Sequence, residues 1–101
     1  MSDGNLRLFI DLETRARKFI TEWSLEFKER VEDKTPVVTG NLKNGYFIVN
    51  KQSGFEFSNI EEYFGYVENG TLHFAPRRMV GRTLLEAEDI SQVAMEKINK
   101  K

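Results

Sequence analysis

Apolar side chains recur every three or four positions through the first third of the chain. Between Asn5 and Asp33 the sequence contains neither Gly nor Pro, and charged residues occupy most of the intervening positions. Residues three and four apart lie on the same helix face, so this pattern predicts one long amphipathic helix. Its apolar face comprises Phe9, Leu12, Ala16, Phe19, Trp23 and Phe27, widened by Ile20 and Val31.

Such a helix would be unusually long for a chain of this size. At 1.5 Å per residue it would extend roughly 43 Å, compared with ~30 Å for the diameter of a small domain. We therefore expect the helix either to bend or to project and pack against something else. A shorter helix with a frayed start is the alternative.

The pattern changes to strands in the middle of the chain. Thr35-Pro36 ends the helix, because Pro disfavours helical backbone in the residue before it. Thr39-Gly40-Asn41 indicates a turn or the start of a short helix, where the Thr39 hydroxyl can act as a cap. The segments YFIVN at 46–50 and FEFS at 55–58 favour strands, and the Ser53-Gly54 turn predicts that they form a hairpin.

An aromatic segment at 63–67 separates this hairpin from the last helix. The Asn69-Gly70 pair is a turn signal, and residues 71–78 read as a loop. A second helix is predicted from about Met79 to Lys97, with an apolar face formed by Leu84, Ala87, Ile90, Ala94 and Ile98. Two strands alone are marginal, so we expect a third, from the aromatic segment or from another subunit.

The order of these elements predicts an α+β fold. A long N-terminal helix and a C-terminal helix would pack on a small antiparallel sheet. The length of 101 residues fits a single domain spanning 1–101. The predicted core comprises Phe9, Leu12, Phe19, Trp23, Phe27, Leu84, Ala87, Ile90 and Ala94.

Composition narrows the class of protein. A chain that is 40% hydrophobic and 31% charged is typical of globular proteins. The lack of Cys excludes a disulfide framework and a thiolate metal site. Neither a secretory signal nor an apolar membrane span is apparent, so we expect a soluble protein made in the cytoplasm. With 15 basic and 16 acidic residues, a generic nucleic-acid binder is disfavoured, apart from the local group Arg77, Arg78 and Arg82.

No catalytic set can be assembled from the sequence. His73 is the single histidine, and a lone His in a loop is usually a surface residue. Glu61, Glu62 and Glu68 could be read as paired acid–base carboxylates, but no accompanying signature supports that interpretation. We expect no enzymatic activity, no cofactor and no metal site.

One arrangement of motifs is more specific. Pro36-Val37-Val38-Thr39-Gly40-Asn41-Leu42-Lys43 precedes the strand pair. Tyr63 and then Tyr66-Val67-Glu68-Asn69-Gly70-Thr71 follow it, before a loop with Pro76 and the terminal helix. This order resembles the phage tail-component family, the minor tail, neck or tail-completion proteins of long-tailed bacteriophages. Members carry Pro-x-x-Thr-Gly-x-Leu after a long first helix, and later Tyr-x-x-Tyr-Val-Glu-x-Gly-Thr. Phe64 departs from the family pattern, in which a small residue is common at that position.

The resemblance implies a structural role. Such a protein would belong to the virion, made in the host bacterial cytoplasm, and would form a ring at the head–tail junction. Its partners would be its own copies, the head connector or adaptor and tail proteins, with DNA only as the passing genome and no membrane. The motif residues would then be architectural, with positive φ at the two glycines and Glu68 holding a neighbouring backbone amide or Arg. These residues are Pro36, Thr39, Gly40, Leu42, Glu68, Gly70 and Thr71.

We expect the first helix and the aromatic segment to lie at subunit or neighbour contacts, because interfaces favour aromatic anchors surrounded by polar residues. The candidate interface residues are Glu61, Glu62, Tyr63, Phe64 and Tyr66. Two alternatives remain. The protein could be a small cytoplasmic binding module that docks through this segment, or a nucleic-acid binder that acts through Arg77, Arg78 and Arg82.

Overall fold

The computed structural model describes residues 6–36, 40–72 and 75–100. It confirms the predicted α+β class, with helices packed against a three-stranded antiparallel sheet. The elements in chain order are β1 (Arg7–Asp11), α1 (Arg17–Lys34), α2 (Gly40–Lys43), β2 (Tyr46–Asn50), β3 (Gly54–Asn59), α3 (Phe64–Asn69), α4 (Met79–Leu84) and α5 (Ala87–Asn99).

The sheet is built around β3. Its strand order is β1-β3-β2, and both neighbours run antiparallel to β3. Phe55 and Phe57 of β3 are fully buried on the face that the helices cover. On the opposite face the register aligns Phe9, Glu56 and Val49 across the three strands, and both Phe9 and Val49 are exposed.

The start of the chain corrects the sequence prediction. Residues 7–11 form β1 rather than the first turns of a helix, and their exposure alternates with the period of two expected of a strand. Leu8 and Ile10 pack against the core, whereas Phe9 is 51% exposed. The third strand of the sheet therefore comes from the N-terminal segment and not from the aromatic segment.

The length of α1 corrects a second expectation. It has 18 residues, which gives about 27 Å, so it does not outgrow a small domain. A left-handed residue, Glu13 with φ 57°, lies between β1 and α1. That conformation interrupts regular structure, so the apolar periodicity runs across two different elements.

The core forms where α1 crosses the sheet. The Phe27 ring meets Phe57 edge-on at 5.0 Å between centroids and stacks on Trp23 at 5.6 Å. The Trp23 indole N–H donates a hydrogen bond of 2.9 Å to Ser91 Oγ of α5. Burial of Trp23, Phe27, Ile90 and Ala94 confirms those core predictions. Leu12, Phe19 and Ala87 are partly buried against the core.

The second predicted helix is two helices. Residues 85 and 86 separate α4 from α5. The apolar face predicted for one continuous helix is therefore not continuous from α4 to α5. Leu84 is exposed as a result, so its assignment to the core is wrong, as is that of Phe9.

Ion pairs join α1 to the start of α5. The Arg30 guanidinium contacts Glu26, Glu86 and Asp89 at 2.8, 3.0 and 2.7 Å, and Lys34 contacts Glu86 at 2.9 Å. Hydrogen bonds from Lys34 and then Arg30 hold the pKa of Glu86 below its ordinary value. This network fixes the angle between the two helices at the surface.

Candidate functional site

Glu68 is a buried carboxylate with two backbone partners. It lies in the last turn of α3, and its Oε1 and Oε2 accept hydrogen bonds of 2.9 Å from the N–H groups of Val80 and Gly81. These amides belong to the first turn of α4, where N–H groups have no partner within the helix. Arg78, at the N-cap position, provides no side-chain cap. Glu68 therefore caps α4 from another helix, as the motif interpretation expected of it.

The same residues close the base of a loop. The backbone N–H of Arg77 donates to the Val67 carbonyl at 2.8 Å, and that of Arg78 donates to the Glu68 carbonyl at 3.1 Å. We call residues 70–72 and 75–78 the clamped loop, because these bonds and the two bonds to the Glu68 side chain fasten residues 77 and 78 to the domain.

Backbone conformations at the two ends suit this closure. Gly70 ends α3 with φ 80°, as expected for a glycine in a turn, and its N–H donates to the Tyr66 carbonyl at 2.7 Å. Arg78 lies in the left-handed region with φ 52°, an uncommon conformation for a residue with a Cβ. At Gly40 the structure has the first residue of the short helix α2, which is one of the two outcomes that the sequence left open there. The positive φ expected of both motif glycines is confirmed at Gly70, whereas the helical conformation of Gly40 contradicts it there.

The clamped loop presents an unusual surface. Leu72 is 100% exposed, and Arg77 and Arg78 are exposed where the chain returns. Arg82, in α4, is exposed as well. Arginine is among the residue types enriched at protein interfaces. His73 lies outside the described residues.

The candidate interface segment divides into two faces. Tyr63 and Tyr66 lie one helical turn apart and are 36% and 38% exposed. Glu62 is exposed, and Glu61 is half-buried. Phe64 is fully buried, so its assignment to an interface is wrong. Its ring meets Tyr46 edge-on at 5.3 Å, because α3 turns Phe64, Gly65 and Glu68 toward the core.

The first motif is anchored to the core and to β3 through Leu42. Leu42 is fully buried, and its carbonyl accepts a hydrogen bond of 2.7 Å from Asn59 Nδ2. Pro36 is half-buried, and Thr71 is exposed. Thr39 lies outside the described residues.

Sequence reasoning missed a buried polar group that joins these elements. The Tyr46 hydroxyl lies 2.9 Å from Thr35 Oγ1 and 3.8 Å from Met79 Sδ, at the start of α4. Burial, together with the nearby carboxylates of Glu68 and Glu32, raises the pKa of Tyr46 to about 12. Tyr46 therefore stays protonated at neutral pH. The sequence pattern indicated only that Tyr46 begins a strand.

Neither metal binding nor membrane crossing is indicated in the described ranges. They contain no group of three or more His, Asp or Glu side chains that could hold a metal ion. None of the helices there is long and apolar enough to span a membrane.

Known proteins provide no relative from which a function could be transferred. Comparisons with models of protein families, with curated proteins and with solved structures gave no match for this chain.

Proposed function

We propose that this protein is a non-enzymatic structural component of a long-tailed phage virion. It acts at the head–tail junction as a ring of identical subunits that contacts the head connector and tail proteins. The proposal rests on the order of the two sequence motifs and on the structural part that Glu68 plays. The observation that carries it is the pair of 2.9 Å hydrogen bonds that Glu68 accepts from the backbone N–H groups at the start of α4.

The hydrogen bonding and burial of the Glu68 carboxylate favour a structural role over a catalytic one. Both carboxylate oxygens are occupied by backbone amides, and the residue is only 5% exposed. A general acid or base needs hydrogen-bond access to a substrate atom, which this geometry does not offer. Glu68 instead holds the clamped loop in one orientation, as a docking element requires.

The exposed face of this region fits contact with other proteins. Leu72 projects from the clamped loop, and the rings of Tyr63 and Tyr66 are each more than one-third exposed. Tyr and Arg are the residue types most often found at interaction hot spots. In a ring, each subunit must present two different surfaces to its neighbours. We assign one of them to the clamped loop and the exposed side of α3.

The second candidate is a small cytoplasmic binding module. The one-third exposure of Tyr63 and Tyr66 on one side of α3 favours this reading too, since an isolated module would dock through the same rings. The two candidates differ in assembly. A module remains a monomer or dimer when purified with its partner, whereas a neck component joins a closed ring on its docking platform.

Deletion of the gene from its phage tests the proposal. We expect separated heads and tails in electron micrographs of the lysate, and infectious particles again when the wild-type protein is supplied from a plasmid. Normal head–tail joining in the deletion strain would rule the proposal out. As a matched test of the surface, complementation with Leu72→Ser should fail, whereas Leu25→Ser, which changes an equally apolar exposed residue of α1, should succeed.

A further inference from the structure

A cavity of about 560 Å³ lies between the start of α1 and the turn that joins β2 to β3. Three cationic side chains line it: Arg15, Arg17 and Lys51. The remaining lining residues are the polar Thr21, Asn50 and Gln52 and the buried, apolar Ile20. No carboxylate lines the cavity, although the chain has more acidic than basic residues.

The charges of this cavity are not neutralised by the protein. Within the described residues neither Arg15 nor Arg17 forms an ion pair. Lys51 Nζ is 3.9 Å from a Glu56 carboxylate that also faces Arg7 at 3.4 Å. In the second half of α1 the cations Lys28, Arg30 and Lys34 are paired closely, as Lys28 with Glu32 at 2.6 Å. The cavity therefore concentrates positive charge that the fold leaves available.

Local helix electrostatics increase this potential. The first turn of α1 contains Arg17 and Lys18 and no acidic residue, and Ala16 at the N-cap provides no side-chain cap. Cations at a helix N-terminus are unfavourable, because the helix dipole is positive there. By contrast, the first turn of α5 contains Glu88 and Asp89. An anion in the cavity would offset the repulsion between these cationic side chains and the positive end of the α1 dipole.

We propose that this cavity binds a phosphate group. The guanidiniums of Arg15 and Arg17 would contact the phosphate oxygens, since arginine pairs with phosphate in bidentate geometry. Lys51 would add a third charge. Small-ligand sites commonly occupy ~300–1,000 Å³, so a cavity of about 560 Å³ has room for a nucleotide rather than a bare ion.

The polar and apolar lining would then receive the rest of the ligand. Thr21, Asn50 and Gln52 supply hydroxyl and amide groups that hydrogen-bond to sugar or base atoms. Ile20 gives the cavity an apolar wall. The nucleotide can be free or part of a single strand, and the same residues would hold its phosphate in either case. This phosphate site does not depend on the proposed structural role, and the failure of one proposal would not affect the other.

Titration of the ¹⁵N-labelled full-length protein tests the site. The probes are inorganic pyrophosphate, deoxyadenosine monophosphate and a short single-stranded DNA. We expect saturable shifts of the amide signals of Arg17, Thr21, Lys51 and Gln52. The double variant Arg15→Ala/Arg17→Ala should weaken binding about tenfold or more, since hydrogen bonds between charged groups are the stronger ones. Lys43→Ala/Lys100→Ala removes the same charge outside the cavity and should change affinity by less than about twofold.

The outcomes separate the sources of the phosphate. Saturation by deoxyadenosine monophosphate supports a free nucleotide, and saturation by the DNA alone supports a strand; both depend on Arg15 and Arg17. Thermal melting of each variant checks that it remains folded. The proposal is overturned if no probe shifts these four amides. It is also overturned if the two double variants lose affinity equally, since this would indicate general ionic attraction.

Discussion

Glu68 Oε1 accepts a hydrogen bond of 2.9 Å from the backbone N–H of Val80, a residue 12 positions later in the chain. Helix N-termini are usually capped by the residue that immediately precedes them. Here that position is occupied by Arg78 in a left-handed conformation, and the acceptor comes from another helix. Formation of α4 is thereby coupled to closure of the clamped loop.

Glu68→Gln tests this coupling. The amide retains the volume of the carboxylate but replaces one acceptor oxygen with an NH₂ group, which leaves one amide of α4 without its partner. A buried group left unsatisfied costs about 1–3 kcal/mol, and we expect that loss in urea denaturation. Glu62→Gln, at an exposed position, should change stability by less than about 0.5 kcal/mol. Equal midpoints for the two variants would contradict the capping role.

Two glycines in the same region should respond to alanine with opposite signs. Gly70 has φ 80°, where a Cβ is strained, so Gly70→Ala should lower stability by about 1 kcal/mol or more. Gly81 is helical, and the nearest atoms to an added Cβ lie 3.7 Å away. Gly81→Ala should therefore be neutral or stabilise by up to about 1 kcal/mol. Thermal melting compares them, and a Gly70→Ala protein that melts at or above the wild-type temperature would refute the turn argument at Gly70.

The acid sensitivity of the domain should depend in part on Glu86. Lys34 and Arg30 hold its pKa in the folded state below the ordinary value of 4.5. A depressed folded pKa gives stabilisation that is present above 4.5 and is lost as the pH falls through the lower folded value. Glu86 is partly exposed, so the effect should lie within the ~0–1 kcal/mol range of surface ion pairs.

The comparison is between wild type and Glu86→Gln, by urea denaturation at neutral pH and at a pH well below 4.5. We expect the variant to be less stable at neutral pH and the difference to shrink in acid. A difference that stays constant with pH would mean that packing, not charge, accounts for the effect. Glu62→Gln again serves as the control.

The sequence was sufficient to predict those helices and strands whose stability is largely local. The β2–β3 hairpin and the apolar stripe of α1 from Trp23 to Phe27 could be predicted, because periodicity and turn residues determine them. The first strand could not. Phe9 and Leu12 fit a helical spacing, whereas Leu8, Ile10 and Leu12 fit the alternation of a strand. The deciding factor is the pairing of residues 7–11 with 54–58. That pairing is long-range.

In the candidate site, too, local sequence predicted some features and long-range packing decided the others. The motif predicted a holding role for Glu68, but its partners, the amides of Val80 and Gly81, depend on how α4 packs. Phe64 was misplaced because no helix was predicted in the aromatic segment. Once residues 64–69 form a helix, Phe64 turns inward with Glu68 while Tyr66 stays outside. Nothing in the composition indicated that Arg15, Arg17 and Lys51 would meet.

The exposed side of the Glu68 region should determine whether the protein assembles. Tyr66 and Leu72 are exposed, so Tyr66→Ala and Leu72→Ser should leave the free energy of unfolding, measured in urea, within about 0.5 kcal/mol of wild type. In the proposed ring, truncation of a central anchor costs about 2 kcal/mol or more of binding, which corresponds to roughly a thirtyfold loss of affinity. We expect a comparable fall in the yield of joined particles on complementation. Leu25→Ser, on α1, controls for the mere loss of an exposed apolar side chain. Wild-type yields from folded Tyr66→Ala and Leu72→Ser proteins would place the contacts elsewhere, even if deletion of the gene abolished head–tail joining.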